Sequence, residues 1–88
     1  MQVLFTNQFA KEIRKIKDKN LAVNIEEVIL SVKNALNISE INNLKKLTGY
    51  KNAYRIRIGD YRIGLYITGD IVEFACFMDR KEIYKYFP

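Results

Sequence analysis

The sequence contains no histidine, one cysteine and one proline, and each shortage removes a class of chemistry. Without histidine, Ser31 and Ser39 have no imidazole to activate them, so a serine-hydrolase triad is excluded. Dispersed carboxylates and a lone cysteine offer no ligand cluster, so no metal and no cofactor is expected. Cys76 has no partner for an intramolecular disulfide, which suits a reducing compartment and a buried core thiol. The four glycines are scattered and form no phosphate-cradling loop. No apolar run approaches the roughly 20 residues that cross a membrane. Lys11, Glu12, Arg14, Lys15, Lys17 and Asp18 interrupt any N-terminal signal segment. These absences predict a cytoplasmic protein with no membrane partner.

What the chain does have is apolar content and positive charge. Its 88 residues are 49% hydrophobic, enough for one two-layer domain spanning 1–88. Fifteen Lys and Arg against ten Asp and Glu leave a net charge of +5, a balance that suits a polyanion such as nucleic acid. Net charge alone also fits ordinary solubility, so the placement of the cations has to decide.

Residues 3–5, "VLF", form a short β-prone run that ends at Thr6, a good helix N-cap. Phe9, Ala10, Ile13 and Ile16 then recur at helical spacing. "KDKN" (17–20) breaks the pattern, and Leu21, Ile25, Val28, Ile29, Val32 and Leu36 make a second, longer amphipathic stripe. The spacing predicts a helical hairpin. Residues 37–52 fit either a short helical turn or an irregular segment anchored by Ile41, Leu44 and Leu47. Three alternating runs follow, separated by Gly59-Asp60 and Gly69-Asp70, two-residue links of the kind that close β-hairpins. The tail 79–88 fits one or two helical turns. The expected fold is α+β: an N-terminal strand, then a helical hairpin packed on an antiparallel sheet, then a short C-terminal helix.

Two-residue turns fix the register. Ile58 should pair with Tyr61, Arg57 with Arg62, Arg55 with Gly64, Ile67 with Val72, Gly64 with Ala75 and Arg62 with Phe77. One face then carries Tyr54, Ile56, Ile58, Ile63, Leu65, Ile67, Val72, Phe74, Cys76 and Met78 as core. The other presents Arg55, Arg57, Arg62, Tyr66, Glu73 and Phe77 around a low floor of Gly64 and Ala75. Like charges at cross-strand positions cost some tenths to ~1 kcal/mol. Solvated polar residues account for one arginine on such a face but poorly for a cluster, so an anion site is expected. Cations with Tyr66 and Phe77 to stack on suit single-stranded RNA.

"LTGYKNAYRIRIGDYR" (47–62) and "DRKEIY" (79–84) together resemble the RelE/ParE superfamily of type II toxin–antitoxin toxins, in particular its RelE-like branch. The family pattern runs L-x-G, then Y-R-(I/V)-R-x-G-x-Y-R, a strand, and H-R-(R/K)-(D/E)-(V/I)-Y. The resemblance implies a ribosome-dependent endoribonuclease that cleaves mRNA by attack of the substrate's 2′-hydroxyl on the adjacent phosphate. Carried over by motif, Arg55, Arg57 and Arg62 contact phosphate, Arg80 stabilises charge, and Tyr84 stacks on a base or moves a proton. Lys51, Tyr66, Phe77, Lys81 and Tyr86 complete the nucleic-acid-binding set. The implied partners are a cognate antitoxin, forming a hetero-oligomer with the toxin, and the ribosome with its mRNA. Two departures stand out. Arginine occupies strand positions where relatives carry lysine, and arginine is a charge clamp but a poor general base. Asp79 stands where relatives usually have histidine. Two alternatives therefore stay open: a ParE-like inhibitor of DNA gyrase, and a catalytically degenerate RNA-binding relative.

Overall fold

Thr6 ends the first strand and starts the first helix. Its Oγ1 accepts a hydrogen bond from the Phe9 N–H at 3.1 Å, satisfying one of the free donors of the first turn. The computed structural model describes every residue, Met1–Pro88. Strand β1 (Gln2–Phe5) is followed by helices α1 (Asn7–Arg14) and α2 (Lys19–Asn34). The "KDKN" break is a cap: Asp18 Oδ1 accepts from the N–H groups of Asn20 and Leu21 at 3.0 and 3.2 Å. Then come β2 (Leu44–Lys46), β3 (Ala53–Ile58), β4 (Tyr61–Thr68), β5 (Ile71–Asp79) and a four-residue helix, α3 (Ile83–Tyr86).

The strands form one sheet in the order β1-β5-β4-β3-β2. It is mixed, not wholly antiparallel: β1 lies parallel to β5, with Val3 beside Val72 and Phe5 beside Phe74. That direction is set by the hairpin of helices, which must leave β1 and cross the sheet before the chain returns. Phe5 then stacks on Phe9 and Phe74 at 5.8 and 5.6 Å between ring centroids, joining strand, helix and sheet. Part of the segment left open between helix and irregular chain is strand β2, whose Leu44 lies opposite Ile56. The helical hairpin covers one face of the sheet over a core that includes Phe9, Ile25, Val32, Ile56, Ile63, Leu65, Val72 and Phe74.

Both tight turns are as expected. Gly59 and Gly69 adopt φ of +55° and +58°, while the aspartates after them do not enter the left-handed region, the pattern of a type II′ turn. Between β3 and β4 the register matches in full, including Arg57 opposite Arg62. Between β4 and β5 it matches only from Thr68 to Leu65. There Ala75 is an extra residue, a β-bulge, and Gly64 faces Cys76 instead of Ala75.

The bulge corrects three assignments at once, because a one-residue slip moves every later side chain to the other face. Phe77 lies opposite Ile63 in the helix-covered core, buried, with its ring stacked on Tyr61 at 5.0 Å. It is not on the basic face. Cys76 and Met78, expected in that core, lie on the opposite side, facing Gly64 and Arg62. The reason sits in the N-terminal part of the chain. Ala75 O accepts from Thr6 Oγ1 at 2.7 Å, and the Phe77 N–H donates to Glu12 Oε1 at 2.9 Å. Two side chains thus take the backbone groups that a neighbouring strand would otherwise hold.

The face beyond the bulge has its own small core of Leu47, Ala53, Ala75, Cys76, Ile83 and Phe87. Gly64 does not leave an open floor, as expected from its size; it admits the chain's own tail. A Cβ built on Gly64 would lie 2.8 Å from the Phe87 ring and 2.7 Å from Cys76 Sγ. Burial pushes the Cys76 thiol up to about 11, with the Glu12 carboxylate adding to the rise and a Gly64 backbone hydrogen bond opposing it. Cys76 is a core thiol, in agreement with the sequence reading.

Removing the Glu12 carboxylate leaves the half-buried Phe77 N–H without a partner. Glu12→Ala is expected to lose about 1–3 kcal/mol in urea unfolding, whereas Glu12→Gln keeps an acceptor oxygen and most of the stability.

Candidate nucleic-acid interface

The arginines are placed by strand register. Two cross-strand rows run over the face opposite the helices. Lys45, Arg55, Gly64 and Cys76 form one, and Arg57, Arg62 and Met78 form the other. The rows are two residues apart along the strands, about 7 Å. Lys45 directly opposite Arg55 is a second like-charge pair, in addition to Arg57 and Arg62.

Each guanidinium is handled differently. Arg62 folds back onto the β3–β4 turn, its Nη1 donating to Gly59 O at 3.0 Å and Tyr61 O at 2.8 Å. This draws its charge away from Arg57, whose side chain is exposed and makes no hydrogen bond within the chain. Arg55 donates from Nη1 to Asn43 O at 3.0 Å, and the left-handed Asn43 (φ 62°) presents that carbonyl. Arg55 Nε is shielded from solvent and has no acceptor. An unpaired enclosed donor is uncommon and costly, so this row carries a local stability cost.

Arg80 reaches the same end of the sheet through its backbone, its N–H donating to Asp60 O at 2.9 Å. Asp79 shapes the turn: its Oδ1 accepts from the Lys81 N–H at 2.8 Å and its carbonyl from the Glu82 N–H at 2.9 Å. The one ion pair in the protein is Lys85 with Glu82 at 3.8 Å, so no arginine of this face has a carboxylate within salt-bridge distance. Arg57 and Arg62 thus flank the β3–β4 turn, the backbone of Arg80 is anchored to that turn, and Arg55 lies one row away.

The aromatic and lysine positions divide. Tyr84 is 59% exposed and lines a cleft with Lys45, which continues the arginine face onto β2. Lys81 is exposed in the turn next to Arg80. Tyr66 lies apart, its ring tilted against Phe87 at 5.2 Å with Ala53 and Glu73 as its row neighbours. Lys51 is exposed in the loop between β2 and β3, at the far end of β3 from Arg57. Tyr86 is two residues beyond Tyr84 on α3, about 200° around a helix, so the two cannot share one wall. Lys45 and Lys46 were not singled out in the sequence. Their signal is "LKKL", two cations between two leucines, but the run is too short to declare itself a strand.

Two substitutions separate repulsion from anchoring. Arg57→Ala is expected to hold or raise stability by some tenths of a kcal/mol, because it removes only a like charge. Arg62→Ala is expected to show no such gain, because it also loses two hydrogen bonds to the turn; thermal unfolding of both variants at low salt checks the contrast. Gly64→Ala must displace the Phe87 ring or the Cys76 thiol, and is expected to cost about 1–3 kcal/mol by the same measurement.

Known proteins share this architecture across nearly the whole chain. A family model described as ParE toxin of type II toxin-antitoxin system, parDE, matches residues 3–84. The toxin RelE3 of Methanocaldococcus jannaschii is 37% identical over 89 aligned residues, covering all of both chains. Among solved structures, the RelB-RelE antitoxin-toxin complex from Methanococcus jannaschii superposes with a TM-score of 0.77 at 37% identity, over 97% of this chain and 99% of that one. The archaeal RelE-RelB complex from Pyrococcus horikoshii superposes with a TM-score of 0.73 at 20% identity, over 90% and 93% of the two chains, a likeness of fold. The chain belongs to the RelE/ParE superfamily and is a toxin of the type II toxin–antitoxin class.

Proposed function

We propose that this toxin is a ribosome-dependent endoribonuclease that cleaves mRNA in the decoding site. The observation that carries the reading is the arginine face: Arg55, Arg57, Arg62 and Arg80 with no carboxylate in ion-pair reach. An inhibitor that acts by covering a protein has no need of such a phosphate clamp. In the reaction, the 2′-oxygen of one nucleotide attacks the adjoining phosphorus and gives up its proton. The bond to the 5′-oxygen breaks, and that oxygen takes up a proton. The products are a 2′,3′-cyclic phosphate and a 5′-hydroxyl end.

Charge builds on the non-bridging oxygens as the new bond forms, and preset guanidinium donors stabilise it without reorganising. Arg62 is already held by its turn, and Arg57 and Arg80 are free to close on phosphate. Arginine keeps its proton, so proton transfer falls to another group. In this reading Tyr84 takes that role, its hydroxyl having no hydrogen-bond partner within the chain, whereas Asp79 already commits Oδ1 to the Lys81 N–H. The ribosome supplies the substrate in an extended, oriented form, the positioning that the toxin's open face does not provide.

A cognate antitoxin silences the toxin in this reading. The crystal structures of RelE from Methanococcus jannaschii and Pyrococcus horikoshii are complexes with RelB, which supports a protein partner of that kind. The cytoplasm is where translated mRNA and such a partner meet.

Expression without antitoxin is expected to arrest translation and leave mRNA ends inside ribosome-bound codons. Arg57→Ala and Arg80→Ala are expected to lower the cleavage rate about a hundredfold or more while the protein stays folded. Intact mRNA accompanied by a DNA-damage response would overturn the reading in favour of gyrase inhibition. Full cleavage by both variants would displace the site.

A further inference from the structure

Asn43, the residue before β2, is the one non-glycine residue with a left-handed backbone, at φ 62°. The conformation is unfavourable for an L-residue, because Cβ crowds the following carbonyl oxygen, although Asn tolerates it better than most. The side chain does not account for it, being exposed and without a hydrogen bond inside the chain. The carbonyl does. Asn43 O accepts from Arg55 Nη1 at 3.0 Å and from the Arg57 N–H at 3.3 Å, so both of its lone pairs serve arginines.

Leu44 lies opposite Ile56 and Lys45 opposite Arg55, so one step back along β2 puts Asn43 opposite Arg57. Arg55 therefore reaches diagonally, about 7 Å along the strands, from the row of Lys45 to the row of Arg57 and Arg62. Its guanidinium leaves one cation only to approach another. The pose does not serve Arg55 itself, whose enclosed Nε is left without an acceptor. Nor does it serve Arg57, whose exposed side chain makes no hydrogen bond within the chain. A phosphodiester, with two non-bridging oxygens, is the ligand that two neighbouring guanidinium groups fit, and charge-assisted hydrogen bonds to it offset their repulsion.

We propose that Asn43 is a positioning residue that acts through Arg55: its left-handed carbonyl holds the Arg55 guanidinium beside Arg57, where the two close on one phosphate of the RNA strand. The proposal rests on the RNA-directed reading above and adds to it a residue whose own side chain takes no part. Glycine adopts the left-handed conformation without steric cost and presents the same carbonyl, whereas a β-branched residue leaves that region.

Cleavage of ribosome-bound mRNA is followed in single turnover at rising toxin concentration, which separates the rate at saturation from the half-saturating concentration. Asn43→Val is expected to lower the saturated rate about tenfold with little change in half-saturation, and Asn43→Gly to keep the wild-type rate. Asn43→Ala, a milder change, carries the same test if the Asn43→Val protein does not fold. In an Arg55→Ala background, Asn43→Val is expected to lower the rate no further, because its effect passes through Arg55. A merely structural role gives the same loss in both backgrounds. The proposal is overturned by that equal loss, by a full rate for Asn43→Val, or by a loss for Asn43→Gly as large as that for Asn43→Val. Wild type that leaves ribosome-bound mRNA intact overturns the ribonuclease reading and this proposal together; wild type that cuts it, with equal losses in both backgrounds, overturns the proposal alone.

Discussion

Beyond Phe74 the outer edge of β5 has no strand beside it, and two side chains from the N-terminal region take the place of one. Thr6 donates to the Ala75 carbonyl and Glu12 accepts from the Phe77 N–H, which lets Ala75 stand out of the ladder as a bulge. Phe77 then enters the core under the helices, and Cys76 and Met78 cross to the far side. The far side thereby gains an apolar floor, on which Ile83 and Phe87 dock the C-terminal tail. Tyr84 lines a cleft with Lys45 because that tail is docked. A hydrogen bond between a helix carboxylate and a strand backbone thus controls the layout of a surface on the other side of the sheet.

The local signals of the sequence translated well. Thr6 as a cap, the two helical stripes and both glycine-aspartate turns appear where pattern and turn chemistry place them. The turns alone fixed Arg57 opposite Arg62 and Arg55 opposite Gly64. What did not translate depends on contacts distant in sequence. The bulge is set by Thr6 and Glu12, more than sixty residues before the backbone groups they bind. The alternation of "IVEFACFM" reads equally well without it. Strand β2 is three residues long and exists because Leu44 and Leu47 find partners on β3 and beyond. The role of Gly64 was inverted for the same reason: a small residue reads as empty space until the tail that fills it is placed.

The arginine face gives up stability at identifiable atoms. Two like-charge pairs lie across adjacent strands, and one enclosed guanidinium nitrogen has no acceptor. The chain limits the cost by local means, tethering Arg62 to its turn and Arg55 to Asn43. These tethers use backbone carbonyls and no carboxylate, so the positive potential of the face survives. A carboxylate in either place would have been the more stabilising choice for a domain with no anion to bind.

Four of the ten acids of this chain are engaged with its backbone. Glu12, Asp18, Glu40 and Asp79 each accept from a main-chain N–H, and only Glu82 meets a cation. With a net charge of +5 and a single ion pair, the folded chain carries uncompensated self-repulsion. An acidic partner would act on such a molecule as a counter-ion, and its binding would raise the free energy of unfolding. Release of such a partner would return the toxin to a less stable form, closer to unfolding and proteolysis than the bound one.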